Sequence, residues 1–285
     1  MKNIPVAQLD GFIENALAED IGGGDYTSMA CIPANHISTA QLLVKDAGVI
    51  AGVQLAEIIF KKLDEDSIFE SFIPDGQDVD YGDIVFKVTC NTRALLQSER
   101  LVLNIMQRMS GIAALSSRFH VEVEDMPVTI LDTRKTTPLL RFLEKWAVRI
   151  GGCSNYRFGL YDRIMIKDNH IDACGSIGKA IEKAKEYNLK NNLNLEITVE
   201  VRNLIELYEV LDSAPIQRIM LDNFEIPIMS EAVAIVNKRV ETEASGGVTI
   251  HNVRKIAKTG VDYISVGALT HSAGSLDLSL KVLKD

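Results

Sequence analysis

Short β-branched runs alternate with amphipathic stretches through the second half of the chain, and this alternation restricts the fold more than any other feature of the sequence. The amphipathic stretches carry apolar side chains at the three- and four-residue steps of a helix. Strands that alternate with such helices form βαβ units and hence a parallel sheet. The predicted strands cover residues 128–132, 163–167, 196–201, 218–223, 239–245 and 263–268, and the helices between them cover 177–187, 204–211, 227–236 and 253–259.

The predicted strands are almost entirely apolar until their last residue. Strands of this kind are buried on both faces, as they are in an α/β barrel. We therefore predict an α/β barrel for this half of the chain. A doubly wound open sheet is the alternative, and hydrophobic periodicity alone does not distinguish the two.

The first half of the chain follows a different pattern, with several short strands and long helices. It is expected to form a sheet-plus-helix domain of about a hundred residues. Ser98 is a suitable N-cap for a helical segment that begins at Glu99. The predicted elements are a helix over 9–19 that ends at glycines 22–24, short strands between 39 and 92 with an inserted helix over 55–63, and a long helix over 95–123.

Polar residues follow nearly every predicted parallel strand. The loops at the carboxyl ends of barrel strands converge on one mouth, so residues far apart in sequence are expected to meet there. Chance rarely places polar groups at every strand end and almost nowhere earlier. The residues concerned are Asp132 to Lys135, Lys167 and Asp168, Glu200, Asp222 and Asn223, Ser245 to Gly247, and Gly267 and Ala268.

The cations in this set suit an anionic ligand. Eight lysines and arginines lie between residues 134 and 167 against two acids, so the segment carries about +6 in a chain of net charge −9. We interpret its helical part, residues 141–149, as a solvated mixed-charge helix. The candidates to hold carboxylates or phosphates are Arg134, Lys135, Arg157 and Lys167.

Glu200 and Asp222, on neighbouring predicted strands, form a pair of hard oxygen ligands suited to Mg²⁺. The alternative for either carboxylate is an internal salt bridge to Lys167 or Lys135. The segment Ser245 to Gly247 predicts a phosphate-binding loop between a strand and a helix, and a simple tight turn is the alternative. Together these groups predict an anionic, phosphorylated substrate and a metal ion in a barrel mouth.

Composition excludes several other classes of function. A pI near 5.2 and 6% aromatic residues argue against a nucleic-acid surface. No apolar run approaches the ~18–20 residues of a membrane span, and the first residues lack a secretory signal. The four cysteines share no C-x-x-C spacing, which favours reduced thiols and a cytoplasmic location. Neither GxGxxG nor GxxxxGK[ST] occurs, so dinucleotide and NTP sites are disfavoured.

Four motifs are specific in order and spacing: D-T-R-K-T-T-P-L-L-R-F-L-E-K-W-A-V-R-I-G-G from residue 132, F-G-L-Y-D-R-I-M-I-K-D-N-H-I from residue 158, E-A-S-G-G from residue 243 and S-V-G-A-L-T-H-S from residue 265. They resemble the quinolinate phosphoribosyltransferase family, and the resemblance covers almost the whole chain. It implies an N-terminal α/β sandwich domain over residues 1–108, joined by residues 274–285, and an incomplete α/β barrel over residues 109–273.

The resemblance also implies an activity. Members of this family convert quinolinate and phosphoribosyl pyrophosphate to nicotinate mononucleotide, pyrophosphate and CO₂ in de novo NAD synthesis, with Mg²⁺. They are homodimers or multiples of dimers whose active sites are shared between subunits. The resemblance implies catalytic roles for Lys135, Lys167, Glu200 and Asp222, with the last two serving Mg²⁺. The implied substrate-binding residues are Arg100 (from a second subunit), Arg134, Lys135, Tyr156, Arg157, Lys167, Glu200, Asp222, Ser245, Gly246, Gly247, Gly267 and His271.

One position departs from the family pattern. The family usually has Asn-His-Arg where this chain has Asn155, Tyr156 and Arg157. The expected histidine would help to bind a quinolinate carboxylate, whereas tyrosine donates one hydrogen bond and is uncharged at pH 7. A relative from the group associated with molybdenum transport that acts on another heterocycle therefore stays open. Two further alternatives are a catalytically silent metabolite-binding protein and a Schiff-base aldolase that uses Lys167, since a strand-end lysine in a barrel permits it.

Overall fold

The computed structural model describes residues 6–283, and the chain divides into two compact units. The first comprises residues up to 115, 142–151 and those from 273 onward, and the second comprises 116–141 and 152–272. The elements in chain order are α1 (Val6–Ile21), α2 (Tyr26–Cys31), β1 (Ile37–Val44), β2 (Gly48–Val49), α3 (Val53–Leu63), β3 (Ile68–Ser71), β4 (Asp78–Val79), β5 (Ile84–Asn91), α4 (Thr92–Val121), β6 (Thr129–Leu131), α5 (Arg141–Ile150), β7 (Ile164–Ile166), α6 (Asp168–Cys174), α7 (Ile177–Lys190), β8 (Ile197–Val201), α8 (Leu204–Asp212), β9 (Arg218–Asp222), α9 (Ile226–Val236), β10 (Glu241–Ser245), α10 (Val253–Ala257), β11 (Tyr263–Ser265), α11 (Ala268–His271) and β12 (Leu278–Val282). The predicted domain boundary between residues 108 and 109 falls inside α4.

The first unit is built on a four-stranded antiparallel sheet with the strand order β12-β1-β5-β3. Strands β1 and β5 bury side chains in alternation, as strands with one covered face do. Helix α3 contributes Phe60 to the core, and its ring lies 6.1 Å from that of Phe86. Because β12 is the last strand of the chain, the C-terminal end completes a sheet that begins near the N-terminus.

Helix α4 begins earlier than predicted. It starts at Thr92, and the Asn91 side chain caps it by accepting a hydrogen bond from the N–H of Arg93 at 3.0 Å. The prediction of a cap at Ser98 is wrong, because Ser98 is buried inside the helix and its hydroxyl donates to the carbonyl of Ala94 at 2.9 Å. Although α4 has 30 residues, no helix in the described chain combines the length and apolarity needed to cross a membrane.

The expectation of a solvated helix at residues 141–149 is also wrong. Within α5, Glu144 is 1% exposed and Lys145 is 2% exposed. The Glu144 carboxylate accepts a hydrogen bond from Nη2 of Arg108 at 2.8 Å, as a buried charge requires. On the apolar side of the helix, the rings of Phe142 and Phe12 meet edge to face at 5.5 Å. Glu144 and Lys145 therefore belong to the interior of the first unit.

The second unit contains six parallel strands in the order β6-β11-β10-β9-β8-β7. From β7 to β11, strands that follow one another in the chain are neighbours in space, and β6 pairs with β11, which is the order of a barrel rather than of a doubly wound sheet. In the described residues no ladder of hydrogen bonds joins β6 to β7. Instead, Leu131 at the end of β6 forms an isolated parallel β-bridge with Ser154. The predicted α/β class with an incomplete parallel barrel is confirmed.

Alternation along these strands arranges their side chains in layers. Arg218, Met220 and Asp222 lie on one side of β9, from its amino end to its carboxyl end. Arg218 is 4% exposed, and Glu243 in β10 is fully buried. The expectation that the strands hold almost no polar groups before their last residue is therefore wrong. A cavity lies at the carboxyl ends, and both Asp222 of the outermost layer and Met220 of the layer below it line its wall.

Candidate active site

A cavity of about 750 Å³ opens at the carboxyl ends of the parallel strands, where the sequence predicts a site. This volume lies within the ~300–1,000 Å³ of small-molecule sites. Residues that follow or end each of the six strands contribute to its wall. The predicted site residues that line it are Arg134, Lys135, Tyr156, Arg157, Lys167, Glu200, Asp222, Ser245, Gly246, Gly247, Gly267 and His271.

Three cations of the cavity have no carboxylate partner in the part of the chain that the structure describes. Among residues 6–283, no ion pair involves Arg134, Lys135 or Arg157. The Nε of Arg134 is buried and donates no hydrogen bond. Burial and then the charge of Arg134 lower the pKa of the Arg157 guanidinium. Two half-buried guanidinium groups that repel each other are stabilised by an anion that both can bind.

Lys167 and Glu200 form an ion pair on the cavity wall. The Nζ of Lys167, just after β7, contacts Oε2 of Glu200 in β8, and the two side chains are 40% and 11% exposed. This is the salt bridge that was the alternative to metal binding for Glu200. Because both side chains line the cavity, a ligand can engage either charge directly.

Asp222, at the end of β9, is held by its neighbours through both carboxylate oxygens. The hydroxyl of Ser245 donates to Oδ1 at 2.8 Å, and Nδ2 of Asn223 donates to Oδ2 at 2.7 Å. The strand register places Asp222 opposite Ser245 in β10. The carboxylate is therefore oriented before any ligand arrives.

The turn after β10 contains two glycines with positive φ, Gly246 at 86° and Gly247 at 61°. A Cβ at Gly246 would lie 2.2 Å from Oδ1 of Asn223, whereas a Cβ at Gly247 would meet nothing within 4 Å. Glycine is required at the first position by space as well as by backbone conformation. Helix α10 begins only at Val253, so the turn itself, rather than a helix N-terminus, lines the cavity.

In another part of the cavity wall, α11 lies against the segment that follows β6. A Cβ at Gly267 would lie 3.0 Å from Cδ of Lys135 and 3.1 Å from Nε2 of His271. The hydroxyl of Thr270 donates to the carbonyl oxygen of Lys135 at 2.8 Å. Because Gly267 has no side chain, the side chains of Lys135 and His271 can both lie close to it on the cavity wall.

Comparison with known protein families identifies the chain. The quinolinate phosphoribosyl transferase N-terminal domain matches residues 25–110, and the C-terminal domain of the same family matches residues 112–281. The chain belongs to the quinolinate phosphoribosyltransferase family. The predicted resemblance is confirmed.

Individual relatives of this family are similar over nearly the whole chain. Quinolinate phosphoribosyltransferase [decarboxylating] 1b of Nicotiana tabacum is 46% identical, with 98% of this chain and 83% of the tobacco protein covered. The structure of NadC from Streptococcus pyogenes has a TM-score of 0.92 at 36% identity, covering 99% of both chains. Nicotinate-nucleotide pyrophosphorylase from Francisella tularensis has a TM-score of 0.91 at 36% identity, covering 99% of this chain and 98% of that one.

In this quinolinate phosphoribosyltransferase family member, the positively charged segment divides into cavity cations and structural ones. Arg141 donates to a backbone carbonyl at 2.9 Å, and Arg163 pairs with Glu196. Asp132, another predicted strand-end residue, is fully buried and accepts a hydrogen bond from the N–H of Tyr156 at 2.8 Å. These three residues make contacts within the chain and do not line the cavity.

Arg100 differs from the other predicted site residues in belonging to the first unit. It lies on α4 with an exposed side chain. The family resemblance assigns it to the active site of a second subunit. That contribution stays a prediction, as do the catalytic roles of the residues that line the cavity.

Sequence reasoning missed part of the cavity wall. Asn223, which orients Asp222, had been noted only as a strand-end residue without a role. Met220 and Ser265 lie two positions before Asp222 and Gly267, so strand periodicity would have identified both. The other lining residues without a predicted role are Thr133, Met165, Val248, Thr249 and Ala268.

The carboxylates on the cavity wall limit how a metal ion can bind to this family member. In the described part of the chain, no group of three or more His, Cys, Asp or Glu side chains is placed to hold a metal. Mg²⁺ commonly uses one or two carboxylates and completes its shell with water and substrate phosphate oxygens. Glu200 and Asp222 therefore fit a Mg²⁺ that arrives with a phosphorylated substrate.

Proposed function

We propose that the chain transfers the phosphoribosyl group of phosphoribosyl pyrophosphate to quinolinate and decarboxylates the product. The products are nicotinate mononucleotide, pyrophosphate and CO₂, and the reaction serves de novo NAD synthesis. One observation carries this proposal: a single cavity is lined by cations without an ion-pair partner among the described residues and by two carboxylates. The cations are Arg134, Lys135 and Arg157, and the carboxylates are Glu200 and Asp222. Membership of the quinolinate phosphoribosyltransferase family supports it.

Both substrates are polyanions, so binding requires excess positive charge. Quinolinate has two adjacent carboxylates, which suit the forked donors of Arg134 and Arg157. Lys135 and Lys167 would act as point charges toward the pyrophosphate-bearing substrate. Burial and then the charge of Arg134 lower the pKa of Arg157, and an anion bound between the two arginines would offset their mutual repulsion.

The chemical step forms a bond between the pyridine nitrogen and C1 of the ribose. As pyrophosphate leaves, C1 develops oxocarbenium character, and the carboxylates of Glu200 and Asp222 would stabilise that positive charge electrostatically. Because Ser245 and Asn223 already orient Asp222, this stabilisation requires little rearrangement. Mg²⁺ held by Glu200 and Asp222 would neutralise negative charge on the departing pyrophosphate.

Decarboxylation follows from the new positive charge on the ring nitrogen. The C–C bond to the carboxylate next to that nitrogen breaks, its electron pair stays on the pyridinium ring, and CO₂ leaves. A proton then takes the vacated position. The substrate ring itself accepts the electrons, so the reaction requires no pyridoxal or thiamine cofactor.

The ribose phosphate would bind at the glycine turn. Backbone N–H groups in a turn with positive φ form a concave site for anions, and the turn at Gly246 and Gly247 has that conformation. Ser245, Gly267 and His271 line the same cavity. We assign these five residues to the phosphate, which leaves the arginines for quinolinate.

The alternative functions fit these observations less well. An aldolase needs a lysine amine that is free to attack a carbonyl group, whereas the Nζ of Lys167 contacts the carboxylate of Glu200. A silent binding protein would have no need of an oriented carboxylate such as Asp222. A relative that accepts another heterocycle is the second candidate, because Tyr156 stands where the family usually has histidine.

One assay separates these possibilities. The protein is incubated with Mg²⁺, phosphoribosyl pyrophosphate and quinolinate, with nicotinate in a parallel reaction, and both mononucleotide and CO₂ are measured. We expect equimolar mononucleotide and CO₂ from quinolinate and no product from nicotinate. Product from nicotinate or another heterocycle alone would refute the proposed substrate, and absence of any turnover would favour the silent protein. Borohydride trapping of Lys167 would indicate the aldolase.

We also propose a homodimer whose active sites each receive Arg100 from the other subunit. The exposed side chain of Arg100 on α4 supports this arrangement. Arg100→Ala and Glu200→Ala are each expected to be inactive, but mixing them under conditions of subunit exchange should restore about a quarter of wild-type activity, because half the dimers are mixed and each has one intact site. No recovery despite proven exchange would contradict shared sites.

The proposed location is the cytoplasm. All four cysteines are free, and Cys90 and Cys153 are buried in a way that suits a reducing compartment. Fractionation of the source cells followed by immunodetection tests this location. Recovery of the protein in an organelle or outside the cell would contradict it.

A further inference from the structure

Tyr156 joins the cavity to the charged interior of the barrel. It lines the cavity, yet its phenolic oxygen lies 2.7 Å from Oγ1 of Thr198. Thr198 is fully buried in β8, two residues nearer the amino end than Glu200. The hydroxyl of Tyr156 is therefore directed into the barrel, and its ring forms part of the cavity wall.

Two guanidinium groups flank the Tyr156 ring. The Cζ atoms of Arg163 and Arg218 lie 5.1 and 5.0 Å from the ring centroid, within the range of cation–π contacts. Arg163 also donates to the hydroxyl of Thr198 at 3.3 Å. Both guanidinium groups are paired with carboxylates of the unit, so this cluster adds little free charge. The acidic residues in these pairs are Glu196, Glu241 and Glu243.

The backbone of Tyr156 is held as firmly as its side chain. Its N–H donates to the buried carboxylate of Asp132 at 2.8 Å. Burial and then the charge of Glu243 raise the pKa of the phenol, so Tyr156 is neutral at physiological pH. Since Arg157 is the next residue, the positions of the Tyr156 ring and of the arginine are set together.

We propose that Tyr156 is a specificity-determining residue that positions the heteroaromatic ring of the substrate with its own ring, and that the hydrogen bond with Thr198 sets the position of that ring. The inference rests on the proposed function and deepens it. The face of an aromatic ring carries partial negative charge, which attracts the guanidinium groups of Arg163 and Arg218, and these contacts help to hold the ring in place. A dianionic pyridine can then lie against Tyr156 while Arg134 and Arg157 bind its carboxylates.

The hydrogen bond can be removed from either end. Tyr156→Phe deletes the phenolic hydroxyl, and Thr198→Val deletes its partner behind the cavity wall. Each single variant is expected to raise the KM for quinolinate by about 2- to 12-fold, the range of one hydrogen bond, with kcat and the KM for phosphoribosyl pyrophosphate nearly unchanged. Because both changes remove the same bond, the double variant should show no greater rise than the larger single one.

Controls separate this role from general damage. Tyr161→Phe makes the same substitution at a tyrosine that is 70% exposed, and it should leave both KM values unchanged. Thermal unfolding of each variant reports any loss of folding, and Tyr156→Phe alone suffices if Thr198→Val is unstable. An unchanged KM for quinolinate in Tyr156→Phe, equal rises in both KM values, or additive effects in the double variant would overturn the inference. Lack of wild-type turnover on quinolinate would instead refute the proposed function.

Discussion

The two ends of the parallel strands carry their charges in opposite ways. Near the amino ends, Arg218 is 4% exposed and is compensated by Glu241 at 2.8 Å and Glu243 at 3.0 Å. At the carboxyl ends, Arg134 and Arg157 line a cavity, and the described residues offer neither of them an ion pair. Both layers are built on the same barrel. They differ in whether the chain itself supplies a carboxylate to pair with each of these arginines.

This contrast distinguishes charged side chains that stabilise the fold from charged side chains that are available to bind a ligand. A buried ion whose partner lies in the chain is a part of the fold, and removal of one partner leaves the other unsatisfied. A cation without a partner in a cavity keeps its binding capacity for a ligand. The residues of the inner layer should therefore govern stability, and those of the outer layer should govern substrate binding and turnover.

The strongest test of the contrast is Arg218→Met. Loss of the guanidinium leaves Glu243 buried without its ionic partner, so we expect the free energy of unfolding to fall by about 3–5 kcal/mol. Urea denaturation followed by circular dichroism measures this change. Arg157→Met is the matched control in the outer layer, with an expected change within about 1 kcal/mol. Equal losses in the two variants would remove the distinction between the layers.

The next largest effect is expected on catalysis. Glu200→Ala removes a cavity carboxylate that we propose stabilises charge on the ribose, and kcat should fall by at least about 10²-fold. Steady-state kinetics at saturating substrate measures it. Glu206→Ala, which breaks an exposed i,i+4 pair with Arg202, should leave kcat unchanged. Full activity in Glu200→Ala would mean that the residue serves only as the ion-pair partner of Lys167.

The glycine turn allows a smaller and more local test. Gly246→Ala places a methyl group against Asn223 at positive φ, a strain of about 1–3 kcal/mol. It should raise the KM for phosphoribosyl pyrophosphate about tenfold or more by displacing the turn or Asp222. Gly247→Ala shares the positive φ but has open space, and a smaller rise is expected. An equal rise in both variants would show that backbone strain alone is responsible.

Ionic strength should produce the smallest effect. Salt screens exposed charges more than buried pairs, since the Debye length falls from about 30 Å at 0.01 M to about 8 Å at 0.15 M. We expect the KM of both anionic substrates to rise a few-fold over this range while the thermal unfolding midpoint changes little. A matched series in potassium chloride and potassium glutamate separates screening from competition by chloride. An unfolding midpoint that also depends strongly on salt would show that exposed ion pairs contribute to the stability of the fold.

Much of the architecture follows from the sequence. Each of the six predicted parallel strands is found, from Thr129–Leu131 in β6 to Tyr263–Ser265 in β11. Much of the cavity lining was predicted from the polar residues at strand ends, because the carboxyl ends of parallel strands in a barrel converge whatever the intervening sequence. Glu200 and Asp222 are examples, placed together by adjacent strands. Tyr156 and His271 were predicted from the family resemblance alone.

The sequence by itself thus determined the strands, the helices between them and the strand-end residues that meet at the barrel mouth, since these depend on local periodicity and on one rule of topology. Only the tertiary structure decided which charges are buried and paired. Glu144 is satisfied by Arg108 and Arg218 by Glu243, and in each pair the two residues come from different elements. Tyr156 is directed away from the cavity mouth for the same reason, because Thr198 lies 42 positions later in the chain and becomes its neighbour only when the barrel forms.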